Sequence, residues 1–374
     1  KTIIDLFEQQ AEETPNNIAV VFENNELSYK ELNEKANQLA HYLLKFDDVS
    51  QGDIIGISIE RSELLIVALL GVLKAGFAYV LIDTSLPSER FNYILSDSGC
   101  QVLINDSFLE KFKNELIKEP TDKPNIRIAL DDVVYLMYTS GSTGMPKGAI
   151  NIYKGFTNTV KWYAEKIGKT DKIGVISNLS FDLTQKNYFA PLIVGACVCI
   201  DSEFHPVNTR NFIKNNKITI INCAPTLFYN LLDENQADLA CLDKVILGGE
   251  SIKLELIKEF LKEYNVALFN SYGPSEASDV STEYHFKNED IDSIPIGKPI
   301  RNTKIFILDR NSKQVPIGAI GEICIGGIGV GLGYLNNPVL TAEKFVVNPF
   351  MEGGIMYKTG DLGFWLADGN IKFL

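Results

Sequence analysis

Apolar runs and segments of helical periodicity alternate along most of the chain. In the first 104 residues, apolar positions three and four apart predict helices at residues 3–12, 27–44, 63–74 and 88–98. Short runs rich in β-branched and aromatic residues predict strands at residues 18–22, 54–59, 78–82 and 102–104. Strands that alternate with helices in this way are typical of a mostly parallel sheet covered by helices.

The same alternation returns after residue 150. Helices are expected at residues 154–166, 185–192, 208–216, 226–232 and 254–263, and strands at residues 172–176, 196–200, 218–221 and 266–269. Between the two regions, residues 110–123 are rich in charged side chains, which predicts an exposed helix and loop.

Beyond residue 300 the pattern changes to short β runs broken by glycines and polar turns. The runs KIFILD, GEICIGG and GIMYKTGDLGFWLADGNIKFL are typical of an antiparallel barrel or a small sheet rather than of βαβ units. We therefore expect a β-rich subdomain at residues 303–374, after α/β sheet subdomains at residues 1–302.

Charge and composition exclude some partners. The net charge of −13 argues against nucleic acid or an anionic membrane as a partner. The longest apolar run, residues 64–73, is far shorter than the roughly 20 residues that span a membrane. Six scattered cysteines lack a metal-binding spacing and predict free thiols in a reducing cytoplasm. The chain starts with Lys1 and ends in mid-pattern, so we expect it to belong to a longer polypeptide.

The most informative stretch is MYTSGSTGMPKGA, residues 137–149. An apolar, β-prone run leads into small hydroxyl residues, glycines and Lys147, a combination that can hold a nucleotide polyphosphate through backbone N–H groups, hydroxyls and an ammonium. The order does not fit a Walker P-loop, because Lys147 is followed by Gly148 rather than by Ser or Thr. Runs of this composition are also common in plain surface turns, so the interpretation needs support elsewhere in the chain.

Six further segments supply that support. They are SFDLT at residues 180–184, NCAPT at 222–226, LGGES at 247–251, NSYGPSE at 270–276, GEICIGGIGVGLGYLNNPVLTAEKFV at 321–346 and YKTGDL at 357–362. Together with the loop, these segments resemble the motifs of the adenylate-forming superfamily, which includes acyl-CoA synthetases, luciferases and the adenylation domains of nonribosomal peptide synthetases. The chain looks like the large N-terminal core of such an adenylation domain.

This resemblance implies a fold and a reaction. The fold would be α/β, with two mostly parallel helix-covered sheets and a small distorted β-barrel subdomain. The reaction would be ATP-dependent activation of an amino acid as aminoacyl-AMP, for loading onto the phosphopantetheine arm of a peptidyl carrier protein in antibiotic or other secondary metabolite biosynthesis. Carrier and condensation domains would be its partners. An acyl-CoA ligase of the same superfamily and a non-catalytic nucleotide-binding module remain as alternatives.

The resemblance also assigns roles in an ATP site. The loop residues Thr139, Ser140, Thr143 and Lys147 would hold the β- and γ-phosphates, and Glu276 would bind Mg²⁺. Tyr272 would pack on the adenine, Asn270 would bond its amino edge, and Asp361 would accept hydrogen bonds from the ribose hydroxyls. The full set of nucleotide contacts implied by the motifs is Gly248, Gly249, Glu250, Asn270, Tyr272, Gly273, Ser275, Asp361 and Phe373.

An amino acid pocket is implied by the same matches. Asp182 would neutralise the α-ammonium group, which fatty acyl and aryl acid substrates lack. The remaining wall would be Leu183, Lys186, Asn222, Ile246, Gly248, Ser271, Asp279 and Val280. This polar wall favours a polar or charged substrate side chain. If Lys186 and Asp279 pair with each other, an uncharged polar side chain is favoured; if they are apart, either one invites a side chain of opposite charge.

Some positions depart from the family's pattern. Leu81 and Thr84 stand where proline is usual, Tyr153 where histidine is common, and Ser275 where threonine is more frequent. The family's small C-terminal subdomain, which carries a catalytic lysine, would follow Leu374. We therefore expect the chain alone to adenylate weakly and to transfer nothing to a thiol.

Overall fold

The computed structural model describes residues 1–139, 145–232, 235–287 and 293–374. Within them, helices occupy Ile3–Glu13 (α1), Tyr29–Leu43 (α2), Glu63–Lys74 (α3), Ser88–Ser98 (α4), Asp106–Leu116 (α5), Tyr153–Ala164 (α6), Asp182–Phe189 (α7), Pro206–Asn216 (α8), Pro225–Tyr229 (α9), Leu254–Tyr264 (α10) and Pro338–Lys344 (α11). Short 3-10 turns lie at Pro191–Ile193, Gln236–Leu239 and Ser275–Ala277.

The strands are short and belong to three sheets. They are Ile18–Phe22 (β1), Asn25–Ser28 (β2), Ile54–Ser58 (β3), Ala78–Leu81 (β4), Leu103–Asn105 (β5), Val133–Thr139 (β6), Lys147–Ile152 (β7), Lys172–Val175 (β8), Cys197–Ile200 (β9), Ile220–Cys223 (β10), Lys244–Gly248 (β11), Ala267–Tyr272 (β12), Thr282–Phe286 (β13), Lys298–Pro299 (β14), Thr303–Leu308 (β15), Gly321–Gly327 (β16), Gly333–Tyr334 (β17), Phe345–Val347 (β18), Ile355–Trp365 (β19) and Ile371–Phe373 (β20).

Local sequence explains where several helices begin. Thr2 caps α1 by accepting a hydrogen bond from the Asp5 backbone N–H, and the Asp5 carboxylate accepts one from the Thr2 backbone N–H. Ser28 and Glu31 form the same reciprocal box at α2. This cap starts α2 two residues later than the periodicity alone predicts, because Ser28 still belongs to β2.

Two larger sheets form the α/β part of the molecule. The first has six strands in the order β17-β7-β6-β4-β3-β5, and the second has nine in the order β14-β13-β12-β11-β10-β8-β9-β1-β2. The central pairs are parallel, and antiparallel strands are added at the edges. The prediction of mostly parallel sheets is thereby confirmed.

Apolar side chains pack on both faces of the nine-stranded sheet. The largest cluster joins residues of both sheets to α1, α2, α3, α6 and α7. A second cluster packs α8, α9 and α10 on the strands β10, β11 and β12. Because strands buried on both faces favour apolar residues at successive positions, β9 and most of β11 are continuous apolar runs, and β10 is interrupted only by Asn222.

The third sheet corrects one prediction. Its strands follow the order β15-β16-β19-β18, with β20 also paired to β19. The long strand β19 pairs with β16, β18 and β20 along its length. No pairing among the described residues joins β15 to β18. The sheet is therefore open, and the predicted barrel is wrong in this respect; short β runs with turns are compatible with either arrangement.

Other differences concern element boundaries. The helix predicted at residues 185–192 begins three residues earlier, at Asp182, and ends at Phe189. The strands β7 and β11 were not expected, although both are built from apolar runs that follow charged residues. In the part of the chain that the structure describes, no helix is both long and apolar enough to cross a membrane.

Candidate active site

The edge of the nine-stranded sheet where its parallel strands end holds most of the predicted ATP-site residues. The register of β11 with β12 sets Leu247 opposite Asn270 and Gly248 opposite Ser271. This edge is where open α/β sheets bind ligands. A cavity of about 330 Å³, here called cavity A, is lined by the predicted residues Gly249, Glu250, Asn270, Ser271, Tyr272, Gly273, Asp361 and Phe373.

One wall of cavity A joins two sheets. The Tyr272 hydroxyl donates a hydrogen bond to Asp361 Oδ2 at 2.7 Å, and the Tyr272 ring lies 5.8 Å from the Phe373 ring. Burial and the neighbouring Asp361 raise the pKa of Tyr272, so its hydroxyl stays protonated and donating. Gly360, with φ of +83°, makes the left-handed turn that precedes Asp361. The Asn270 amide nitrogen donates to the Pro295 carbonyl at 2.8 Å.

A charged cluster lies beside this wall. Lys147 Nζ is 3.0 Å from Glu276 Oε1, and it also donates to the Tyr334 hydroxyl at 2.8 Å. Tyr334 donates to the same Glu276 oxygen at 2.6 Å, and its oxygen is 3.1 Å from that of Tyr357. Glu276 is only 5% exposed, so its charge is balanced by Lys147 rather than by water.

Asp182 lies at the start of α7, where it contacts Ser275 and lines two cavities. Its carboxylate accepts hydrogen bonds from the Ser275 hydroxyl and, at 2.7 Å, from the Leu183 backbone N–H. It lines a cavity of about 460 Å³ together with Thr139 and Ser275, here called cavity B. It also lines a larger cavity of about 840 Å³, cavity C, which shares Gly249 and Glu250 with cavity A.

The predicted pocket wall contains a buried ion pair. Lys186 Nζ lies 2.6 Å from Asp279 Oδ2 and donates to the Leu183 carbonyl at 2.9 Å. The Lys186 side chain is fully buried and that of Asp279 is 8% exposed. Burial raises the pKa of Asp279 to about 6, and the Lys186 ammonium opposes that rise.

The backbone at this pair is strained. Ser278 and Asp279 both adopt positive φ, 59° and 74°, a region that non-glycine residues rarely occupy. Two hydrogen bonds hold the turn: the Ser278 hydroxyl donates to the Gly329 carbonyl at 2.8 Å, and the Ser278 carbonyl accepts from Thr159 at 2.7 Å. Asn151 Oδ1 lies 3.2 Å from the Ser278 hydroxyl oxygen. The turn therefore sets the direction of the Asp279 side chain.

The rest of the predicted wall is packed around α7. Asn222 donates to the Leu183 carbonyl at 3.2 Å, and Ile246 and Val280 are buried nearby in the core. A Cβ atom on Gly248 would lie 2.6 Å from Ser271 Oγ, so only glycine fits there. Of these pocket residues, Asp182, Leu183 and Gly248 line cavity C. The structure does not place Lys186, Asn222, Ile246, Asp279 or Val280 on any of the three cavities.

Part of the predicted phosphate loop can be placed. Thr139 and Lys147 face each other at the ends of β6 and β7, so the hairpin brings the two ends of the loop together. The Thr139 hydroxyl is buried and has no hydrogen-bond partner among the described residues. Ser140 and Thr143 lie outside the described residues.

The model of the AMP-binding enzyme family matches residues 7–335. The chain belongs to this family of AMP-binding enzymes.

Curated relatives of this AMP-binding enzyme are much longer proteins. Bacitracin synthase 3 of Bacillus licheniformis is 40% identical over 389 aligned positions, which cover 100% of this chain and 6% of the relative. Tyrocidine synthase 1 of Brevibacillus parabrevis is 38% identical, and the match covers 100% of this chain and 36% of that protein. The chain thus spans about a third or less of either relative.

Solved structures share the fold over the whole chain. The nonribosomal peptide synthetase FmoA3 superposes with a TM-score of 0.93 at 29% identity, covering 100% of this chain and 42% of that chain. One FmoA3 structure holds α-methyl-L-serine-AMP and another holds AMPPNP. The NpsA N-terminal subdomain of Klebsiella oxytoca, in complex with 3-hydroxyanthranilyl-AMSN, gives a TM-score of 0.90 at 25% identity, covering 100% of this chain and 99% of that chain.

Two tyrosines of the charged cluster in this AMP-binding enzyme were not predicted from the sequence. Tyr334 and Tyr357 join the Lys147–Glu276 cluster although both lie far from those residues in sequence. The sequence signal for both is that Tyr334 and Tyr357 lie within segments 321–346 and 357–362, which carry the resemblance.

The donor set around Glu276 can be tested against the Mg²⁺ that the family implies. Among the described residues, no group of three or more His, Cys, Asp or Glu side chains could hold a metal ion by itself. Mg²⁺ is usually held by one or two carboxylates together with waters and substrate phosphates. A single buried carboxylate beside Lys147 fits that mode of binding.

Proposed function

We propose that this chain is the ATP- and amino-acid-binding core of an enzyme that activates an amino acid as aminoacyl-AMP. The observation that carries the proposal is the position of Asp182, whose carboxylate accepts a hydrogen bond from the Ser275 hydroxyl. Ser275 stands between Tyr272 of cavity A and Glu276 of the charged cluster. A counter-charge for an α-ammonium group and the proposed nucleotide site therefore lie side by side.

The nucleoside fits cavity A. Tyr272 offers an aromatic face on which adenine can stack, and the carboxylate of Asp361 offers two acceptor oxygens to ribose hydroxyls. The Asn270 amide oxygen is the acceptor that an adenine amino group needs, because the amide nitrogen already donates to Pro295. Gly249 has φ of +83° and open space around its Cα, so backbone can approach the base closely.

The phosphates would extend from cavity A toward Lys147 and Thr139. The Lys147 ammonium balances phosphate charge, and the buried Thr139 hydroxyl supplies a donor that otherwise lacks a partner among the described residues. Glu276 would hold Mg²⁺, which supplies charge stabilisation for the phosphates. Ser140 and Thr143 remain part of the proposed phosphate grip.

The reaction joins the amino acid to AMP. With its ammonium on Asp182, the amino acid would direct a carboxylate oxygen at the α-phosphorus of ATP. A new oxygen–phosphorus bond forms, the bond from the α-phosphorus to the bridging oxygen breaks, and pyrophosphate leaves with the electron pair. The chain's residues contribute position and charge: Asp182 fixes the nucleophile, and Lys147 attracts the leaving group.

The substrate side chain is proposed to be polar and uncharged. Since Lys186 and Asp279 neutralise each other at 2.6 Å, neither is left to pair with a charged substrate. Asn222, which the family resemblance assigns to the pocket wall, has a buried Oδ1 atom without a partner within the described ranges, although Asn222 lines none of the three cavities. A polar side chain can satisfy such atoms, whereas a hydrocarbon side chain cannot.

The subdomain boundaries, the carrier-protein partner and the cellular location are part of the same proposal. Residues 1–302 and 303–374 would form the α/β and β-rich parts of an adenylation core, with β15 starting at Thr303. Cavity C, of about 840 Å³, reaches Asp182 and Gly248 and would admit the phosphopantetheine arm of a carrier protein. An artificially fused adenylation–PCP di-domain protein of Klebsiella oxytoca, NpsA–ThdA, has been solved. The free state of all six cysteines supports a cytoplasmic location.

A direct test is ATP–pyrophosphate exchange by the full-length protein that contains this chain, across a panel of amino acids. Exchange should depend on an amino acid and be strongest with an uncharged polar side chain. Exchange supported by fatty or aryl acids but by no amino acid would favour the acyl-CoA ligase. ATP binding without exchange under any condition would favour a non-catalytic module.

A further inference from the structure

The hydroxyl of Tyr334 occupies the centre of the charged cluster. It lies 2.8 Å from Lys147 Nζ, 2.6 Å from Glu276 Oε1 and 3.1 Å from the Tyr357 hydroxyl. The Lys147 ammonium also lies 4.3 Å from the centre of the Tyr334 ring. Tyr334 is 4% exposed, so these groups replace water as its partners.

The directions of these hydrogen bonds follow from the chemistry of the groups. An ammonium can only donate and an ionised carboxylate can only accept. The single Tyr334 proton therefore goes to Glu276, and the Tyr334 oxygen accepts from Lys147. Its second lone pair is then available to the Tyr357 hydroxyl. Each hydrogen-bonding position of the Tyr334 hydroxyl is used, which leaves it one orientation.

Backbone contacts fix Tyr334 relative to both charged residues. The Gly331 N–H donates to the Glu276 carbonyl at 2.8 Å. On either side of Tyr334, the N–H groups of Leu332 and Leu335 donate to carbonyls of β7, the strand that begins at Lys147. Strand β17 itself pairs with β7. One short segment thus ties the Glu276 turn to the Lys147 strand.

Gly333 lets this segment fit. It adopts a φ of +123°, and a Cβ atom there would lie 2.4 Å from the Thr341 side chain. Any other residue at this position would strain the backbone and force Thr341 or the strand next to Tyr334 to shift. The placement of the hydroxyl is therefore determined by the backbone, not only by its polar partners.

We propose that Tyr334 is a positioning residue that orients the Glu276 carboxylate for the metal–nucleotide complex. This inference rests on the proposed function. When ATP phosphates attract Lys147, Glu276 loses its cationic partner, and Tyr334 continues to hold its Oε1 atom. The carboxylate then keeps its direction instead of rotating toward another partner. Lys147 can therefore leave Glu276 for the phosphates, because the Tyr334 hydroxyl still donates to the Glu276 carboxylate.

A purely structural tyrosine would behave differently. Its loss would lower stability and reduce nucleotide binding with and without Mg²⁺ to the same extent. A positioning role through Glu276 affects only the Mg²⁺-dependent part of nucleotide binding. The two roles are therefore separated by measuring nucleotide affinity as a function of Mg²⁺ concentration.

The experiment measures binding of AMPPNP in the absence of any amino acid, so that no adenylate can form, with the 374-residue chain and its Tyr334→Phe and Tyr29→Phe variants. Tyr29 is a matched control: it is fully buried, its hydroxyl donates to the Ala196 carbonyl at 2.6 Å, and it lines none of the three cavities. Tyr334→Phe should raise the Mg²⁺ concentration for half-maximal binding about tenfold, the scale of one hydrogen bond to a charged group. Its AMPPNP affinity without Mg²⁺ should stay within about twofold of the parent, and Tyr29→Phe should change neither quantity.

Two results would overturn the inference. One is a Tyr334→Phe variant with the Mg²⁺ dependence of the parent; the other is a parent chain whose AMPPNP affinity does not respond to Mg²⁺. If Tyr334→Phe unfolds, Tyr357→Phe replaces it, with an expected rise of about threefold. Failure of the proposed function is visible separately, as absence of amino-acid-dependent exchange in the full-length parent, because AMPPNP binding needs no amino acid.

Discussion

The ammonium of Lys186 lies 2.6 Å from a carboxylate oxygen of Asp279, and both side chains are buried at the end of α7. Asp279 lies 93 residues after Lys186 in sequence. It belongs to a turn with positive φ that follows Glu276. Two residues that could each have selected a charged substrate therefore neutralise each other. The proposed preference for an uncharged polar side chain depends on this contact.

Breaking this pair should have a large effect on stability. Lys186→Ala leaves the Asp279 charge buried and unpaired, which is expected to cost about 3–5 kcal/mol. Urea unfolding of the parent, Lys186→Ala and the double variant Lys186→Met/Asp279→Asn measures this cost. The double variant should recover much of the loss, because neither charge remains. A Lys186→Ala variant as stable as the parent would show that the pair is not buried in solution.

The same substitution should change substrate choice. With Lys186 removed, Asp279 is free to attract a cation, so the full-length Lys186→Ala variant should improve exchange with lysine, ornithine or arginine relative to the parent. Asp279→Asn serves as the matched variant, since it frees Lys186 and should favour acidic side chains instead. Unchanged selectivity in both variants would place the pair outside the substrate pocket.

Asp279 should also make a recognisable contribution to the pH dependence of stability. Its pKa is raised from 3.8 to about 6, so between these values the folded state binds more protons than the unfolded state. The stabilisation contributed by Asp279 is therefore largest below pH 4 and falls as the pH rises toward 6. The unfolding free energy of the parent minus that of Asp279→Asn should decrease over this window. A difference that increases from pH 4 to pH 6 would contradict the raised pKa.

The alternation of strands and helices was enough to predict the two covered sheets, because each element buries a face that its own sequence periodicity reveals. Element starts that depend on a cap, such as α2 after Ser28, were displaced by only a few residues. The third sheet was harder to predict. Closure of a barrel depends on whether β15 meets β18, which no pattern within either strand can report.

In the candidate site, likewise, some neighbouring residues could be predicted from the sequence and others could not. Residues that stand together in one segment, such as Tyr272, Ser275 and Glu276, could be predicted as neighbours from the sequence alone. The pairing of Lys186 with Asp279 could not, because it depends on a strained turn whose φ values are not visible in the sequence. Tyr334 was missed because it reaches Lys147 only through the pairing of β17 with β7.

Removing the charge of Glu276 should impair catalysis without unfolding the protein. Glu276→Gln keeps the shape of the side chain but lacks the negative charge that pairs with Lys147 and that is proposed to hold Mg²⁺. Pyrophosphate exchange by the full-length variant should fall by roughly 10²-fold. Glu283→Gln is the control, since Glu283 pairs with Lys166 at 2.7 Å and lines none of the three cavities. Equal exchange by the two variants would remove Glu276 from the metal site.

Asp182 should control recognition of the amino group. Asp182→Ala removes the proposed counter-charge, so the KM for amino acids should rise strongly, while the matching α-hydroxy acids should lose little. The ratio of kcat/KM for an amino acid to that for its α-hydroxy analogue reports this difference. If the ratio is the same in the variant and the parent, Asp182 acts only as the hydrogen-bond acceptor of Ser275.

The most direct test of the central claim is the dependence of pyrophosphate exchange on the amino acid in the full-length protein. With ATP and Mg²⁺ present, exchange should be negligible without an amino acid and should rise at least tenfold with an uncharged polar one. Serine, threonine, asparagine and glutamine should exceed leucine, valine and phenylalanine. Exchange that is independent of any amino acid, or that is best supported by a carboxylic acid without an amino group, would contradict the account.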